Sequence, residues 1–366
     1  MEEERILRCA LSGVLVYKPK ILNELFDKYG EAREIYGLSG EKLMREMNLR
    51  EELVKQIFSR DIIEWAKSEV DWADEKGIHL LFRGDEKYPK LLMECEDAPQ
   101  MLYYKGVADL NKRAIGIVGT RLASNYGREC CSRIVDDLCE YNPLIVSGLA
   151  FGIDVCAHKE ALEKGLETVA VLPNGLDSIY PQKHRDVAVR MVKNGGLLTE
   201  FPRTMQAQKI NFIKRNRIIA GLSQAIVIVE SRVKGGAMTT VEFANMYNRE
   251  VFALPGRITD TNSYGCNYLI SKNVANIYNA PNALPCALGW ENAKNSQVSH
   301  QQKLFSFDNE KKEKLLLSLN FKTAVSIDTL CNLTGFDFSL VSMLLLELEL
   351  EGFVRAVNGN GYCLKK

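Results

Sequence analysis

The feature that most restricts the possible folds of this chain is a series of short apolar segments between residues 114 and 254. Each segment is rich in β-branched or other apolar side chains on both faces, and most are separated by stretches long enough to form a helix. The segments are residues 114–118, 144–146, 168–172, 196–199, 225–229 and 251–254. This pattern predicts an α/β fold with a Rossmann-like, doubly wound, mainly parallel sheet.

The residues before this series divide into two parts. Residues 1–75 place their apolar side chains at helical spacing, and glycine turns near Gly30 and Gly40 indicate short tandem helices of the SAM or helix-hairpin-helix type. Such modules pack or mediate contacts more often than they bind the DNA backbone. Two further strand-like segments, 78–82 and 101–104, extend the sheet, so we assign residues 76–283 to one extended Rossmann-like domain.

The residues after the sheet predict a linker and a third domain. Residues 284–310 turn polar and are interpreted as a linker. Residues 311–366 contain three amphipathic helices and a hairpin around Asn358-Gly-Asn-Gly361, which together indicate a winged-helix-like domain. Its third helix carries Glu347, Glu349 and Glu351 but no cation, so protein contact or a degenerate domain is favoured over DNA reading.

Composition limits the classes of function. The 366 residues predict two or three domains, and no apolar run reaches the ~18 residues of a membrane span. No signal peptide is apparent, so we expect a cytoplasmic protein whose scattered cysteines stay reduced. The 47 Lys and Arg residues equal the 47 Asp and Glu residues, so any site for a polyanion must be local.

Glycines and hydroxyl residues follow three of the predicted strands, where an open α/β sheet binds its ligands. The three loops are Gly119-Thr-Arg121, Ser147-Gly-Leu-Ala-Phe-Gly152 and Lys234-Gly-Gly-Ala-Met-Thr-Thr240. Glycine lets the backbone approach a phosphate, and a helix N-terminus supplies free N–H groups. The candidate phosphate-cradle residues are Gly119, Thr120, Ser147, Gly148, Gly152, Gly235, Gly236 and Thr239. Alternatively, such glycines only pack helices on the sheet; no Walker A loop is present.

The most basic segment is Lys209-Ile-Asn-Phe-Ile-Lys-Arg-Asn-Arg217. Between residues 200 and 221 the only acid is Glu200, and the segment surrounds Phe212 with cations. Cations neutralise backbone phosphates and an aromatic ring stacks on an unpaired base, so the segment indicates single-stranded DNA binding. The alternative is a solvated helix face with Phe212 in the core.

These motifs together resemble the DNA-processing protein A (DprA/Smf) family of bacterial single-stranded DNA-binding proteins. The matching motifs, continuous over roughly residues 119–270, include Gly119-Thr-Arg121, Phe212-x-x-Arg-Asn-Arg217, Gly235-Gly-x-Met-Thr-Thr240, Pro255-Gly256 and Gly265-x-Asn267. The first loop has Thr120 where serine is commoner in the family. The helical N-terminal unit and the winged helix also match a common family layout.

The resemblance implies a non-enzymatic protein that binds single-stranded DNA without strong sequence preference and protects incoming DNA. It also implies a homodimer that loads the RecA recombinase during natural transformation, with no cofactor and no metal. Carried over by motif, the DNA-binding residues are Arg121, Lys209 and Phe212, with Arg215 and Arg217 as further candidates and Lys183 as an outlying one.

Besides single-stranded DNA binding, two other functions remain open on the sequence alone, an enzyme that acts on a nucleotide and a helix-turn-helix regulator. The loop at 234–242 also resembles the glycine-rich motif of nucleotide phosphoribohydrolases, with Glu230, Glu242 and Arg249 as candidate catalytic groups. Asp154 and His158, one helical turn apart, form a candidate acid and base pair, although a helix cap and a core histidine explain them more simply. A helix-turn-helix regulator acting through residues 311–366 is the third possibility.

Overall fold

A computed structural model describes residues 2–290, 310–319, 325–357 and 361–364 of the chain. Contacts divide the chain into two compact units, residues 1–294 and 295–366. The helical segment and the sheet belong to the first unit, so the division between them at residue 75 stays a prediction. Most of the predicted linker, residues 291–309, and the predicted turn residues 358–360 lie outside the described residues.

The N-terminal part of the first unit is helical, as the apolar spacing predicts. Ser39 and Ser59 cap the starts of two of its helices by accepting backbone N–H groups. The apolar faces pack on one another in a core that includes Leu11, Leu25 and Leu43. The helices are α1 (Glu2–Val14), α2 (Pro19–Tyr29), α3 (Ala32–Tyr36), α4 (Gly40–Met47), α5 (Glu51–Ile57) and α6 (Arg60–Glu75).

The predicted strands form one sheet of nine strands, most of them parallel, which confirms the predicted fold class. The strands are β1 (His79–Phe82), β2 (Met101–Gly106), β3 (Ala114–Val118), β4 (Leu144–Ser147), β5 (Thr168–Val171), β6 (Gly195–Thr199), β7 (Ala225–Ile228), β8 (Glu250–Ala253) and β9 (Asn276–Ile277). Their order across the sheet is β1-β2-β6-β5-β4-β3-β7-β8-β9, and β2 is antiparallel to both of its neighbours, β1 and β6. The short strand β9 was not predicted.

Helices cover both faces of this sheet. Ile115 and Ile117 pack in the core beneath the helices that follow β3 and β4, whereas Ala114 and Val118 pack on the opposite face. A strand that is apolar on both sides is therefore buried on both sides. The helices are α7 (Lys90–Met93), α8 (Asn125–Leu138), α9 (Ile153–Glu163), α10 (Arg185–Lys193), α11 (Lys209–Leu222), α12 (Gly236–Met246), α13 (Tyr264–Ser271) and α14 (Ala283–Ala287).

The first residues of the predicted linker are packed against this core. Leu284, in α14, and Trp290 are buried, and the Trp290 ring lies 5.7 Å from the ring of Tyr141. The guanidinium of Arg113 lies 5.6 Å from the centre of the Trp290 ring. Residues 284–290 are thus part of the folded first unit, and the polar run that was interpreted as a linker begins only at Glu291.

The second unit has the layout of a winged helix, as predicted. Its elements are α15 (Glu310–Leu317), β10 (Val325–Ser326), α16 (Ile327–Thr334), α17 (Phe338–Leu350), β11 (Val354–Val357) and β12 (Gly361–Leu364). The three strands form an antiparallel sheet in the order β10-β12-β11. The core contains Leu315, Leu330, Val341, Leu345 and Val354, so all three helices contribute to it.

Among the described helices, none is long and apolar enough to cross a membrane alone. Only α16 and α17 taken together reach the required length and composition, and their axes differ by 109°.

Candidate nucleic-acid interface

The strand order reverses at β3, and a cleft opens there. The chain passes from β3 through β4 and β5 to β6 on one side, then returns to β7 on the other side of β3. Ligands of doubly wound sheets bind at the carboxyl ends of the strands beside such a reversal. The cleft measures about 750 Å³ and is lined by residues 118–121 after β3 and by residues 231–240 after β7.

The cleft brings together most of the residues that the sequence singled out. Its lining includes the candidate DNA-binding residues Arg121, Lys209, Phe212 and Arg215 and the candidate cradle residues Gly119, Thr120, Gly235, Gly236 and Thr239. It also includes Arg232 and Lys234, which the sequence analysis did not list as contacts. Both residues follow β7, just as Arg121 follows β3. Because open α/β sheets bind ligands at the carboxyl ends of their strands, inspection of the residues after β7 would have identified them.

The charge of the cleft is strongly positive although the chain as a whole is neutral. Five cations line it, and Asp154 is the only acid among the described lining residues. The cations are Arg121, Lys209, Arg215, Arg232 and Lys234. The cleft at the switch point of the sheet is therefore a local concentration of positive charge, which a polyanion site in a chain of balanced charge would need.

Helix α11 forms one wall of the cleft. Lys209, Phe212, Ile213 and Asn216 line the cleft and follow the spacing of one helix face. The Asn216 amide donates to the Thr239 hydroxyl at 2.7 Å and to the Gly236 carbonyl at 3.3 Å, which ties α11 to the start of α12. The two motifs that the sequence analysis treated separately are thus parts of one surface.

The Phe212 ring is partly exposed at the cleft and lies between two other side chains. The guanidinium carbon of Arg121 is 4.9 Å from the ring centre, a cation–π distance. The Tyr180 ring meets Phe212 edge to face, with 5.6 Å between the ring centres. Phe212 is therefore a surface aromatic held beside a cation, and the alternative of a core phenylalanine does not fit.

Arg215 lies at the floor of the cleft and is 3% exposed. Its Nη1 is 3.8 Å from Oδ2 of Asp154, too far for a hydrogen bond, and its Nε and Nη1 have no hydrogen-bond partner among the described residues. Burial lowers the pKa of Arg215 to about 10, so the guanidinium remains charged at neutral pH. The floor of the cleft thus carries a buried positive charge with unpaired donors.

Arg217 lies away from the cleft, which corrects its assignment as a DNA contact. It is 1% exposed and pairs with the buried carboxylate of Glu200. It also donates to the backbone carbonyl of Asp97, whose carboxylate lies 3.9 Å away. Its guanidinium is occupied inside the fold, so we remove Arg217 from the candidate DNA-binding residues.

Several candidate cradle residues serve internal packing. A Cβ added to Gly148 would lie 1.2 Å from Nη1 of Arg215, and one added to Gly152 would lie 2.1 Å from the Thr120 carbonyl oxygen. The buried Ser147 hydroxyl donates to the Ile117 carbonyl at 2.6 Å. These three residues do not line the cleft, so they support its loops rather than a phosphate.

The glycines that do line the cleft differ from one another. A Cβ on Gly119 would lie 2.6 Å from the Ile153 side chain, and one on Gly235 would lie 2.3 Å from the Ser231 hydroxyl. Around a Cβ on Gly236, no atom of the described residues lies within 4 Å, apart from the chain neighbours and the backbone of its own helix. Gly236, at the start of α12, is therefore the cradle glycine with open space above it. The neighbouring Thr239 hydroxyl is engaged with Asn216 and with the Gly236 carbonyl.

Lys183 is exposed in the short 3-10 turn Gln182–His184 and does not line the cleft. Tyr180, whose ring contacts Phe212, lies two residues before this turn. Lys183 thus belongs to a segment that borders the cleft through Tyr180, which suits an outlying contact.

Asp154 and His158 do not form an acid and base pair. Asp154 lies in the first turn of α9, where burial raises its pKa and the nearby Arg215 opposes that rise. His158 is fully buried, and its Nδ1 lies 2.7 Å from the Thr168 hydroxyl, which donates to the Ile145 carbonyl. Nδ1 is therefore the donor, and the imidazole is a core group.

Burial lowers the pKa of His158 to about 3 from the usual 6.5. The unfolded chain then takes up a proton that the folded chain excludes, so His158 should cost stability as the pH falls from about 6.5 towards 3. Between pH 7 and pH 5 we expect this loss to be about 2 kcal/mol, and we expect His158→Asn, which keeps a donor for Thr168, to lack it. Urea denaturation of both proteins at the two pH values measures the difference; an equal loss in both would contradict the assignment.

The candidate catalytic groups of a phosphoribohydrolase are dispersed. Glu230 is buried and accepts the backbone N–H of Ser124 at 2.9 Å, at the start of α8. Arg249 donates to the Leu91 carbonyl at 2.6 Å and pairs with Glu94, whereas Glu242 is exposed on α12. None of the three is among the described residues that line the cleft.

The fold and the cleft together define a Rossmann-like protein with a cationic cleft at the switch point of its sheet, followed along the chain by a winged helix. The family model of the DNA recombination-mediator protein A matches residues 79–287. A second model, the DprA winged helix domain, matches residues 308–360. The chain belongs to the DNA recombination-mediator protein A family, as the sequence motifs predicted.

Individual relatives agree with this result. Protein Smf of Escherichia coli is 34% identical over 83% of this chain and 81% of its own length. The DNA processing protein DprA of Streptococcus pneumoniae is 40% identical over 51% of this chain and 67% of its own length. Protein Smf of Synechocystis is 39% identical over 59% of this chain, which spans only 55% of that relative's length.

Two solved structures are similar to this chain. The X-ray structure of DprA from Streptococcus pneumoniae has a TM-score of 0.61 and 29% identity, covering 78% of this chain and 97% of its own. The DprA of Helicobacter pylori, whose structure concerns its single-stranded DNA binding mode, has a TM-score of 0.52 and 29% identity. That match covers 58% of this chain and 95% of the other.

Proposed function

We propose that this chain binds single-stranded DNA without strong sequence preference and acts in DNA recombination. The observation that carries the proposal is the buried guanidinium of Arg215, whose unpaired donors lie at the floor of a cleft lined by cations. A buried donor without a partner is costly, so its presence indicates an anionic ligand such as a phosphate. The DprA of Helicobacter pylori binds single-stranded DNA, which supports the same ligand here.

The proposed contacts fall into two kinds. Arg121, Lys209, Arg232 and Lys234 line the cleft, where they are placed to neutralise successive phosphates of a strand. Phe212 offers a ring on which an unpaired base can stack. Because phosphates and ring faces are common to all nucleotides, such a surface binds with little sequence preference. Lys183 is kept as an outlying contact.

The wider role follows from the family resemblance. We propose that the protein protects incoming DNA, forms a homodimer and loads the RecA recombinase during natural transformation, within the cytoplasm. We also propose that it does so without catalysis or a cofactor, since the cleft residues suit phosphate binding and the candidate catalytic groups Glu230, Glu242 and Arg249 are not among the described residues that line the cleft. Release of free base from AMP or GMP by the purified protein would contradict this.

Phe212→Ala should weaken binding of a short oligo(dT) by about five- to a hundredfold, because stacking is worth about 1–3 kcal/mol per base. Filter binding or fluorescence anisotropy measures the change. Phe243→Ala is the matched control, since Phe243 packs against the sheet core and does not line the cleft. Binding that is unchanged in Phe212→Ala and insensitive to salt would refute the proposed site.

A further inference from the structure

Helix α17 of the winged helix exposes an apolar stripe. Met343, Leu346 and Leu350 are 50%, 59% and 80% exposed, at spacings of three and four residues. On the other side of the helix, residues such as Leu344 and Leu348 are buried in the core of the unit. Phe338 at the start of α17 and Leu333 in α16 are also exposed. We call these five exposed residues the α17 face.

All charged residues of α16, of α17 and of the turn between them are acids, so the surroundings of the α17 face are negatively charged. Residues 327–351 contain no Lys or Arg, and their acids are Asp328, Asp337, Glu347, Glu349 and Glu351. Lys312 of α15 lies 2.8 Å from Glu347 and 2.7 Å from Glu351, so it offsets part of this charge. A helix of this position reads DNA in other winged helices, but an acidic one repels phosphates.

The spacing of the exposed apolar residues and the negative charge around them together indicate the chemistry of the partner. Exposed apolar residues at steps of three and four form the seam along which one helix packs on another. A second copy packed on α17 along this seam, in either orientation, would bring acids of its own α16 and α17 and no Lys or Arg from them, which disfavours self-pairing. A helix with basic flanks has no such conflict.

We propose that the α17 face binds an amphipathic helix of another protein, with apolar residues at matching spacing and Lys or Arg on both flanks. This interface is separate from the DNA cleft and does not depend on the proposed function. The winged helix then serves as a docking module for a protein partner, and the cleft of the first unit binds the nucleic acid.

Two synthetic helical peptides test this, both with leucine at the three-four spacing but one with lysine flanks and the other with glutamate flanks. Fluorescence anisotropy with the full chain should detect binding of the lysine peptide only, and added salt should weaken it. Leu346→Gln should reduce that affinity about tenfold or more, since it removes a buried apolar anchor. Val357→Gln, an exposed apolar position on β11, is the matched control and should have no effect.

Four results would overturn the inference. Equal binding by the wild type and Leu346→Gln, or no binding of the lysine peptide, would show that the α17 face is not the site. Self-association that Leu346→Gln abolishes would show that a second copy covers the face. Duplex DNA binding that Leu346→Gln abolishes would assign the face to DNA. Oligo(dT) affinity, measured on the same samples, reports the cleft separately and should stay unchanged.

Discussion

Arg217→Ala should lower the free energy of unfolding by about 3–5 kcal/mol, the largest single effect that we expect from any candidate contact. The change leaves the carboxylate of Glu200 buried without its ionic partner and removes a donor from the Asp97 carbonyl. Burial already raises the pKa of Glu200, so its charge depends on Arg217. Urea denaturation followed by circular dichroism measures the loss.

Arg121→Ala is the matched control for Arg217→Ala. Arg121 is exposed beside Phe212, so its removal should weaken oligo(dT) binding and leave stability nearly unchanged. If Arg217→Ala is too unstable to purify, the double variant Arg217→Met/Glu200→Leu should recover much of the loss, because it removes both charges. A stable Arg217→Ala protein with weak DNA binding would return Arg217 to the interface.

Gly148→Ala should disrupt both stability and DNA binding. The added methyl group would overlap Nη1 of Arg215, so the guanidinium must leave its position above Gly148. Asp154 is then left buried without its cation, which costs about 3 kcal/mol or more. Denaturation and oligo(dT) titration of the same protein should show the two losses together.

Gly236→Ala should separate the loss of DNA binding from the loss of stability. Apart from the chain neighbours and the backbone of its own helix, no atom of the described residues lies within 4 Å of a Cβ at this position, so the folded protein should tolerate the methyl group. A phosphate that approaches the start of α12 would meet that group, so DNA affinity should fall while stability holds. Loss of affinity in Gly148→Ala but not in Gly236→Ala would place the DNA away from α12.

The sequence predicted the architecture because its strongest signals are local. Strands such as 114–118 and 225–229 are apolar on both faces, and only burial between two layers of helices satisfies that pattern. Strand β9 was missed because Asn276–Ile277 has two residues and no period. Residues 284–290 were grouped with the polar run that follows them, although Leu284, Leu288 and Trp290 are apolar. The partners of Trp290, Tyr141 and Arg113, lie far away in the chain, so its packing could not be read from the local sequence.

The candidate site was predicted less completely, since residue type does not fix the direction of a side chain. Arg215 and Arg217 are two residues apart on α11 and differ in their surroundings, because the helix turns Arg217 towards Glu200 and Asp97. Glycine motifs indicated phosphate loops, yet Gly148 and Gly152 accommodate protein atoms. Only the folded chain shows which glycines leave room for a ligand.

The close packing of these glycines has a consequence for the thermodynamics of binding. The loops after β3 and β4 interlock, since the Ile153 N–H donates to the Thr120 carbonyl and Gly152 lies against Arg121. Loops that are preorganised in this way lose little conformational entropy when a ligand arrives. The entropic cost of ordering then falls on the flexible nucleic acid. A stiff, base-paired strand that cannot bend into the cleft should therefore gain no binding affinity from the preorganised loops.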